Sequence, residues 1–436
     1  MFIHGWNENS HAFDYIVKKI FSGADHERHE IRLADFITLD DSVTFTDLVE
    51  AMQYSWQKNK LPCVGKDVAV ITHSTGALVL RAWLQRYYPQ GGSPISNVVM
   101  LAPPNFGSHL AHKGRAFYGR ILKGLGHSRP FEVGENLLLD LELASPYAWR
   151  LAMLDCFSEN TSFHKDDILT TVFIGDAGYD GIASAANIPG SDGVVPIACA
   201  NLMPQLLTIN YEKGRPVFAI TKPKSKVAFK ILPGINHASI LGDKYNADDL
   251  AKVYHAALNV TGAKFDRYCL NISRENELLF KDAGYSLYQQ TVVKTKNQYG
   301  DSVKDYFVSF AEHMSRYMCL SEHFHNCLVA SVHANSDNSS YRSFTMDADI
   351  LFRAGLSLDT CIDFSIIGAP CLDHSSVSAG YRPHDAANSK ALELKMVAMQ
   401  QLFSPYSVLL VDWTILREHK TELFSIHREK SVASII

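Results

Sequence analysis

The sequence predicts an α/β chain in two parts, a mostly parallel sheet with crossover helices followed by a β-rich, sandwich-like part. Three observations carry this prediction. Over residues 1–260, short apolar runs rich in β-branched residues alternate with helix-period segments, as parallel strands joined by helices require. From Phe265 to Ile436 the rhythm changes to short β-rich runs with few helix signals, the pattern of a sandwich-like second domain over 265–436. The 436 residues are 47% hydrophobic and 20% charged, which supplies apolar side chains for two cores.

In chain order, Met1–Ile3 opens as a strand and His11–Phe21 follows with helical spacing. Phe45–Lys58 is the second helix, Val68–Ile71 a buried strand, Ala77–Tyr88 a helix, and Asn97–Leu101 the next strand. Residues 106–163 are too long for a simple connection and carry helical stretches of their own, so they read as an insertion or lid over the sheet. Leu169–Ile174, Val217–Ile220 and Val227–Leu232 are then expected as further strands of that sheet, with Ala247–Leu258 as its last helix. In the second part, Tyr268–Ser273, Tyr306–Ala311, Cys327–His333, Phe344–Phe352, Cys361–Ile367 and Val408–Leu416 are the strand candidates, and Ser389–Phe403 is the one clear helix signal.

Charge excludes some partners. Lys+Arg of 41 against Asp+Glu of 46 gives a net −5, which offers no overall attraction to nucleic acid. The eight cysteines are scattered, several within apolar strand-like runs, and are expected to be reduced. No apolar run reaches about 18 residues, and Met1 leads straight into Phe2-Ile3-His4-Gly5, so neither a spanning segment nor a signal peptide is expected.

The chemistry is concentrated where the apolar run Val68–Leu80 is broken by Thr72-His73-Ser74-Thr75-Gly76. This is a G-x-S-x-G nucleophile elbow with Thr72 in place of the first glycine, set between a strand and a helix as the elbow demands. A serine hydroxyl needs an imidazole to take its proton, and the imidazole needs a carboxylate to fix its tautomer. His237, in Gly234-Ile235-Asn236-His237, and Asp192, in Ser191-Asp192-Gly193-Val194-Val195-Pro196, follow in the order Ser, Asp, His of this arrangement. Asp176, at the end of Leu169–Ile174, is a rival acid. The backbone N–H groups of Trp6, in the His4-Gly5-Trp6 loop, and of Thr75 are the expected oxyanion donors. Catalysis by such a set requires no cofactor and no metal.

Thr72–Gly76, His4-Gly5-Trp6, Leu101-Ala102-Pro103-Pro104-Asn105-Phe106-Gly107-Ser108 and Ser191–Pro196 together resemble the lipase-like α/β-hydrolases, and most closely the bacterial PlaB-type phospholipases A with lysophospholipase A activity. In that family a Thr-His-Ser-Thr-Gly elbow is the rule. The resemblance rests on motifs within residues 1–260 and implies a serine hydrolase of phospholipid and lysophospholipid acyl esters. It also implies peripheral association with a bacterial membrane, reached without a signal peptide, and a homo-oligomer built through the second domain. A carboxylesterase or neutral-lipid lipase remains the alternative within the same class. A non-catalytic lipid-binding or injected interaction protein is the alternative of another class.

Weaker signals have plainer readings beside them. Lys113, Arg115, Arg120, Lys123 and Arg129, interleaved with apolar residues, suit an anionic lipid surface as well as a solvated lid. Lys222, Lys224, Lys226 and Lys230 suit a solvated hairpin better than a phosphate site. Cys319, His323, His325 and Cys327 have the residue types of a zinc site on irregular spacing, and alternation would put His323 and His325 on one face of a strand.

Overall fold

The β-branched runs of the first part form a parallel sheet whose strand ends converge on one side. A computed structural model describes residues 1–3, 5, 13–21, 27–31, 42–111, 134–212, 215–243, 245–282, 284–313, 318–372, 378–384 and 391–419. Trp6, the basic stretch of the insertion and the carboxy-terminal tail lie outside them.

Among the described residues the first sheet has six strands, in the order β2-β1-β3-β4-β5-β8. They are β1 (Phe2–Ile3), β2 (Glu30–Ile31), β3 (Val68–His73), β4 (Ile95–Leu101), β5 (Leu169–Gly175) and β8 (Val227–Leu232). Every pairing among them is parallel. Helices form where the sequence expects them, at Asp14–Ile20, Phe45–Lys58, Gly76–Tyr87 and Ala247–Leu258. Phe45–Lys58 starts on a capping box in which Thr44 and Asp47 satisfy each other's backbone N–H groups, and it buries Phe45, Leu48, Val49, Met52 and Trp56. Within the insertion, Glu135–Leu141 and Pro146–Asp155 are helical.

Residues 217–220 do not join this sheet. They belong to β7 (Arg215–Thr221), which forms an antiparallel hairpin with β6 (Gln205–Glu212), and β6 pairs in parallel with β16 (Val408–Ile415) near the end of the chain. The second sheet runs β11-β12-β9-β16-β6-β7, with β9 at Tyr288–Asn297, β11 at Val329–Ala334 and β12 at Tyr341–Asp347. It is mixed, because β16 is parallel to both β9 and β6. A three-stranded antiparallel sheet, β10 (Tyr306–Glu312), β13 (Cys361–Gly368) and β15 (Leu392–Lys395), packs against it. A short pair, β14 (Ala379–Tyr381) and β17 (Arg417–His419), completes the described strands.

At its central strand β16 the second sheet is buried on both faces. Val292, Val408 and Leu410 join the core of the first part, whereas Val293, Leu409, Val411 and Trp413 join Phe310, Ile362, Phe364 and Phe403 in a second core. Phe364 meets Trp413 edge-on at 4.7 Å between ring centroids. A strand buried on both sides reads as a continuous apolar run, which is how Val408-Leu409-Leu410-Val411 reads.

Three further expectations are corrected. Tyr268–Ser273 is not a strand but lies in the helix Gly262–Phe280. Cys327 and Leu328 end the helix Met318–Leu328, and only from Val329 does a strand begin. Within Ser389–Phe403, Leu392–Lys395 is a strand that pairs with β13, and the helix is confined to Met396–Leu402.

Candidate active site

Parallel strands leave a sheet with their carboxyl ends on one edge, where the loops of this fold meet. Ser74 follows β3, His237 follows β8, and Asp192 lies in the long connection after β5, so all three approach that edge. Ser74 holds φ at +51°, the left-handed conformation that costs a non-glycine residue about 1–2 kcal/mol. The turn is fixed from both sides, because Ser74 N–H donates to Leu101 O at 2.9 Å and Ala77 N–H donates to Ser74 O at 3.1 Å. This conformation lifts the hydroxyl out of the strand path and starts the helix Gly76–Tyr87 immediately afterwards.

The structure brings Ser74, His237 and Asp192 together. Ser74 Oγ lies 3.1 Å from His237 Nε2, and His237 Nδ1 lies 2.8 Å from Asp192 Oδ2. Asp192 is fully buried, and its other oxygen, Oδ1, accepts from Val194 N–H at 2.9 Å and Val195 N–H at 2.7 Å. Those donors stabilise the charged carboxylate in a buried site. The tight loop that delivers them needs Gly193, whose φ is +93° and where a Cβ would meet the Tyr179 ring at 2.7 Å. Thr75 stands at the amino end of the helix, where backbone N–H groups point outward and favour negative charge. Trp6, the other expected oxyanion donor, lies outside the described residues.

Asp176 is occupied elsewhere. Its Oδ1 accepts from Gly234 N–H at 2.7 Å and its Oδ2 from Tyr285 Oη at 3.0 Å, so it braces the loop leading to His237 rather than the imidazole. The neighbouring Gly175 allows that loop to lie against β5, because a Cβ there would fall 1.9 Å from Ile235 O. His73, the histidine of the elbow motif, is a second support and packs beside the base: its Nε2 is 3.0 Å from the backbone O of His237, and the two rings are 4.9 Å apart. A histidine one position before an elbow serine was the available signal. Its partner, 164 residues away, was not legible.

The weaker motifs resolve plainly. Lys224, Lys226 and Lys230 pair with Glu159, Asp266 and Glu275, as a solvated face would. His323 and Cys327 share one side of a helix, with Cys327 Sγ 3.6 Å from His323 Nε2, while His325 instead accepts from Phe310 N–H at 3.4 Å. The side chain of Cys319 is outside the described residues. The seven cysteines whose side chains are described are free thiols.

Neither the protein-family models nor the curated proteins give a match to this chain. Solved structures do. The chain is similar to phospholipase PlaB from Legionella pneumophila, with a TM-score of 0.81 and 22% identity over 100% of this chain and 97% of that one. It is similar also to the same phospholipase in complex with thio-NAD, with a TM-score of 0.78 and 21% identity over the same shares of the two chains. The likeness therefore covers both sheets as well as the elbow, and the chain has an α/β-hydrolase fold followed by a β-rich second part, on the plan that PlaB shares.

Proposed function

We propose that the chain is a serine hydrolase that cleaves acyl esters of phospholipids and lysophospholipids, a phospholipase A/lysophospholipase A. One observation carries the reading: a left-handed Ser74 whose Oγ is 3.1 Å from His237 Nε2, with Asp192 at 2.8 Å on the far side of the ring. In this mechanism the Ser74 hydroxyl donates its proton to His237 Nε2 as Oγ attacks the acyl carbonyl. Asp192 holds the Nδ1–H tautomer and stabilises the imidazolium. The oxyanion accepts from the N–H groups of Thr75 and Trp6. His237 then protonates the departing lysolipid or glycerophospho-alcohol, and water releases the fatty acid from Ser74. No cofactor or metal takes part.

The phospholipid preference is supported by the fold shared with a phospholipase and by the sequence motifs. Access to lipid is peripheral in this reading, and no helix among the described residues is long and apolar enough to cross a membrane. The enzyme works as a homo-oligomer joined through its β-rich part, where the edge strand β7 exposes Val217, Phe218 and Ile220. The deciding experiment is product analysis of the purified protein on phospholipid, lysophospholipid and triacylglycerol, with a fluorophosphonate probe in parallel. Fatty acid from the first two and labelling at Ser74 are expected. Hydrolysis of triacylglycerol alone makes the protein a neutral lipase, and absence of labelling removes the serine mechanism.

A further inference from the structure

The three-stranded sheet carries a polar cluster that the hydrolytic reading does not use. Asp363 on β13 pairs in register with Glu393 on β15, which places two carboxylates opposite each other. His313 directly follows β10, and its N–H donates to Cys361 O at 2.8 Å, which brings its ring beside Asp363. His313 Nδ1 is 2.9 and 3.1 Å from the two Asp363 oxygens and 3.9 Å from Glu393 Oε1. One ligand atom from each of the three side chains lies within 4.8 Å of the other two.

Two features are hard to reconcile with an isolated ion pair. Like charges directly opposite on neighbouring strands destabilise a sheet, and Asp363 is only 1% exposed although its neighbours Ile362 and Phe364 take the core-facing positions. A single imidazolium can balance only one of the two carboxylates.

We propose that His313, Asp363 and Glu393 bind one divalent transition-metal ion of zinc-like chemistry, which ties β10, β13 and β15 together. A nitrogen and two carboxylate oxygens form a donor set that borderline metals accept. Bonds of about 2.0–2.2 Å in a tetrahedron put ligand atoms roughly 3.3 Å apart, and His313 Nδ1 stands 2.9 Å from the nearer Asp363 oxygen and 3.9 Å from Glu393 Oε1, on either side of that spacing. Glu393, the most exposed of the three, closes the remaining gap by turning its side chain. The Nδ1 lone pair goes to the metal, the ring keeps its proton on Nε2, an imidazolium releases its second proton to solvent, and water completes the coordination. The ion is structural and shares no residue with the Ser74 site.

The test uses the full-length protein, stripped with EDTA and freed of chelator, then titrated with zinc chloride by calorimetry and melted with and without the ion. The expected result is one tight site per chain and a higher melting temperature with zinc. Glu393→Gln, at an exposed position that the fold tolerates, should weaken binding at least tenfold and abolish the melting shift, whereas His323→Ala should leave both unchanged. Absence of tight binding in the wild type, binding unchanged in Glu393→Gln, or binding lost with His323→Ala would each overturn the proposal.

Discussion

His237 is held at both ends of its backbone and at both ring nitrogens. Its N–H donates to Asp192 O at 3.0 Å, its carbonyl receives His73 Nε2, and its ring spans Asp192 and Ser74. Residues that act as a unit are lost as a unit, so Ser74→Ala, His237→Asn and Asp192→Asn should each lower turnover by about 10³-fold or more while leaving the circular dichroism spectrum unchanged. Asp176→Asn should cost far less, because Asp176 touches Gly234 and Tyr285 rather than the imidazole. The reverse ranking of the two aspartates in a steady-state assay would reassign the acid. A different carboxylate reports on pH. Burial, with Asp337 nearby, pushes Asp140 up to about 6 despite Arg150. The folded state therefore holds a proton that the unfolded chain releases near pH 4, so Asp140 works against stability increasingly as pH rises from about 4 to 6. Asp140→Asn should melt like the wild type at pH 4 and higher than it at pH 7. Parallel melting curves at both values would contradict this.

Between elements, one buried ion pair organises the ground beneath the elbow. Arg81, on the helix that begins at Gly76, reaches Asp155 at the end of the helix Pro146–Asp155 with bonds of 2.7 and 3.0 Å, and both side chains are 0% exposed. Arg81 also donates to Asn105 O and Oδ1, drawing in the loop after β4. Burial opposes the arginine charge, but Asp155 more than offsets it and holds the pKa above its ordinary value. Removing one partner leaves a buried charge, so Arg81→Met or Asp155→Leu alone should cost about 3–5 kcal/mol, and the double variant should recover much of the loss. Chemical denaturation of the three variants checks this, and additive losses would refute it. Gly175→Ala should displace the His237 loop, because a new Cβ has no room beside Ile235 O. Its signature is a fall in turnover larger than its fall in melting temperature. The elbow was legible because its strand, its serine and its helix are consecutive in the chain. The helix Gly262–Phe280 was not, since Tyr268-Cys269-Leu270-Asn271-Ile272 has local strand character. Only the wider spacing of Phe265, Ile272 and Asn276, its buried residues, shows a helical face. The cluster of His313, Asp363 and Glu393 was invisible for a related reason: sheet register, not sequence proximity, brings it together.

At the scale of the whole molecule, the division near residue 260 in the sequence is not a division of the packing. The hairpin β6–β7 leaves the first part to complete the second sheet, and its Leu207 and Ile209 are buried in the second core. Contacts return in the other direction as well. Glu142, beside the loop after β4, is bound by His333 Nε2 at 2.6 Å and by Ser336 Oγ at 2.7 Å, and Asp176 is bound by Tyr285. Burial alone would raise the Glu142 pKa, yet those donors hold it below the ordinary glutamate range, which marks the contact as one that stabilises the charged form.

A fragment ending at residue 260 would therefore strand a charged Glu142 without its donors, remove the Tyr285 brace from Asp176, and expose the inner face of β6 together with the part of the first core that Val408 and Leu410 cover. Each exposed aliphatic side chain gives up about 1.5–3 kcal/mol of burial, and several such losses exceed the stability of an ordinary domain of about 5–15 kcal/mol. Residues 1–260 expressed alone should be insoluble or molten and inactive although they contain Ser74, Asp192 and His237, and the full chain should unfold in one transition followed alike by tryptophan fluorescence and by loss of hydrolysis. A soluble 1–260 fragment with wild-type turnover, or two separated unfolding transitions in the full chain, would show that the shared sheet does not couple the two parts.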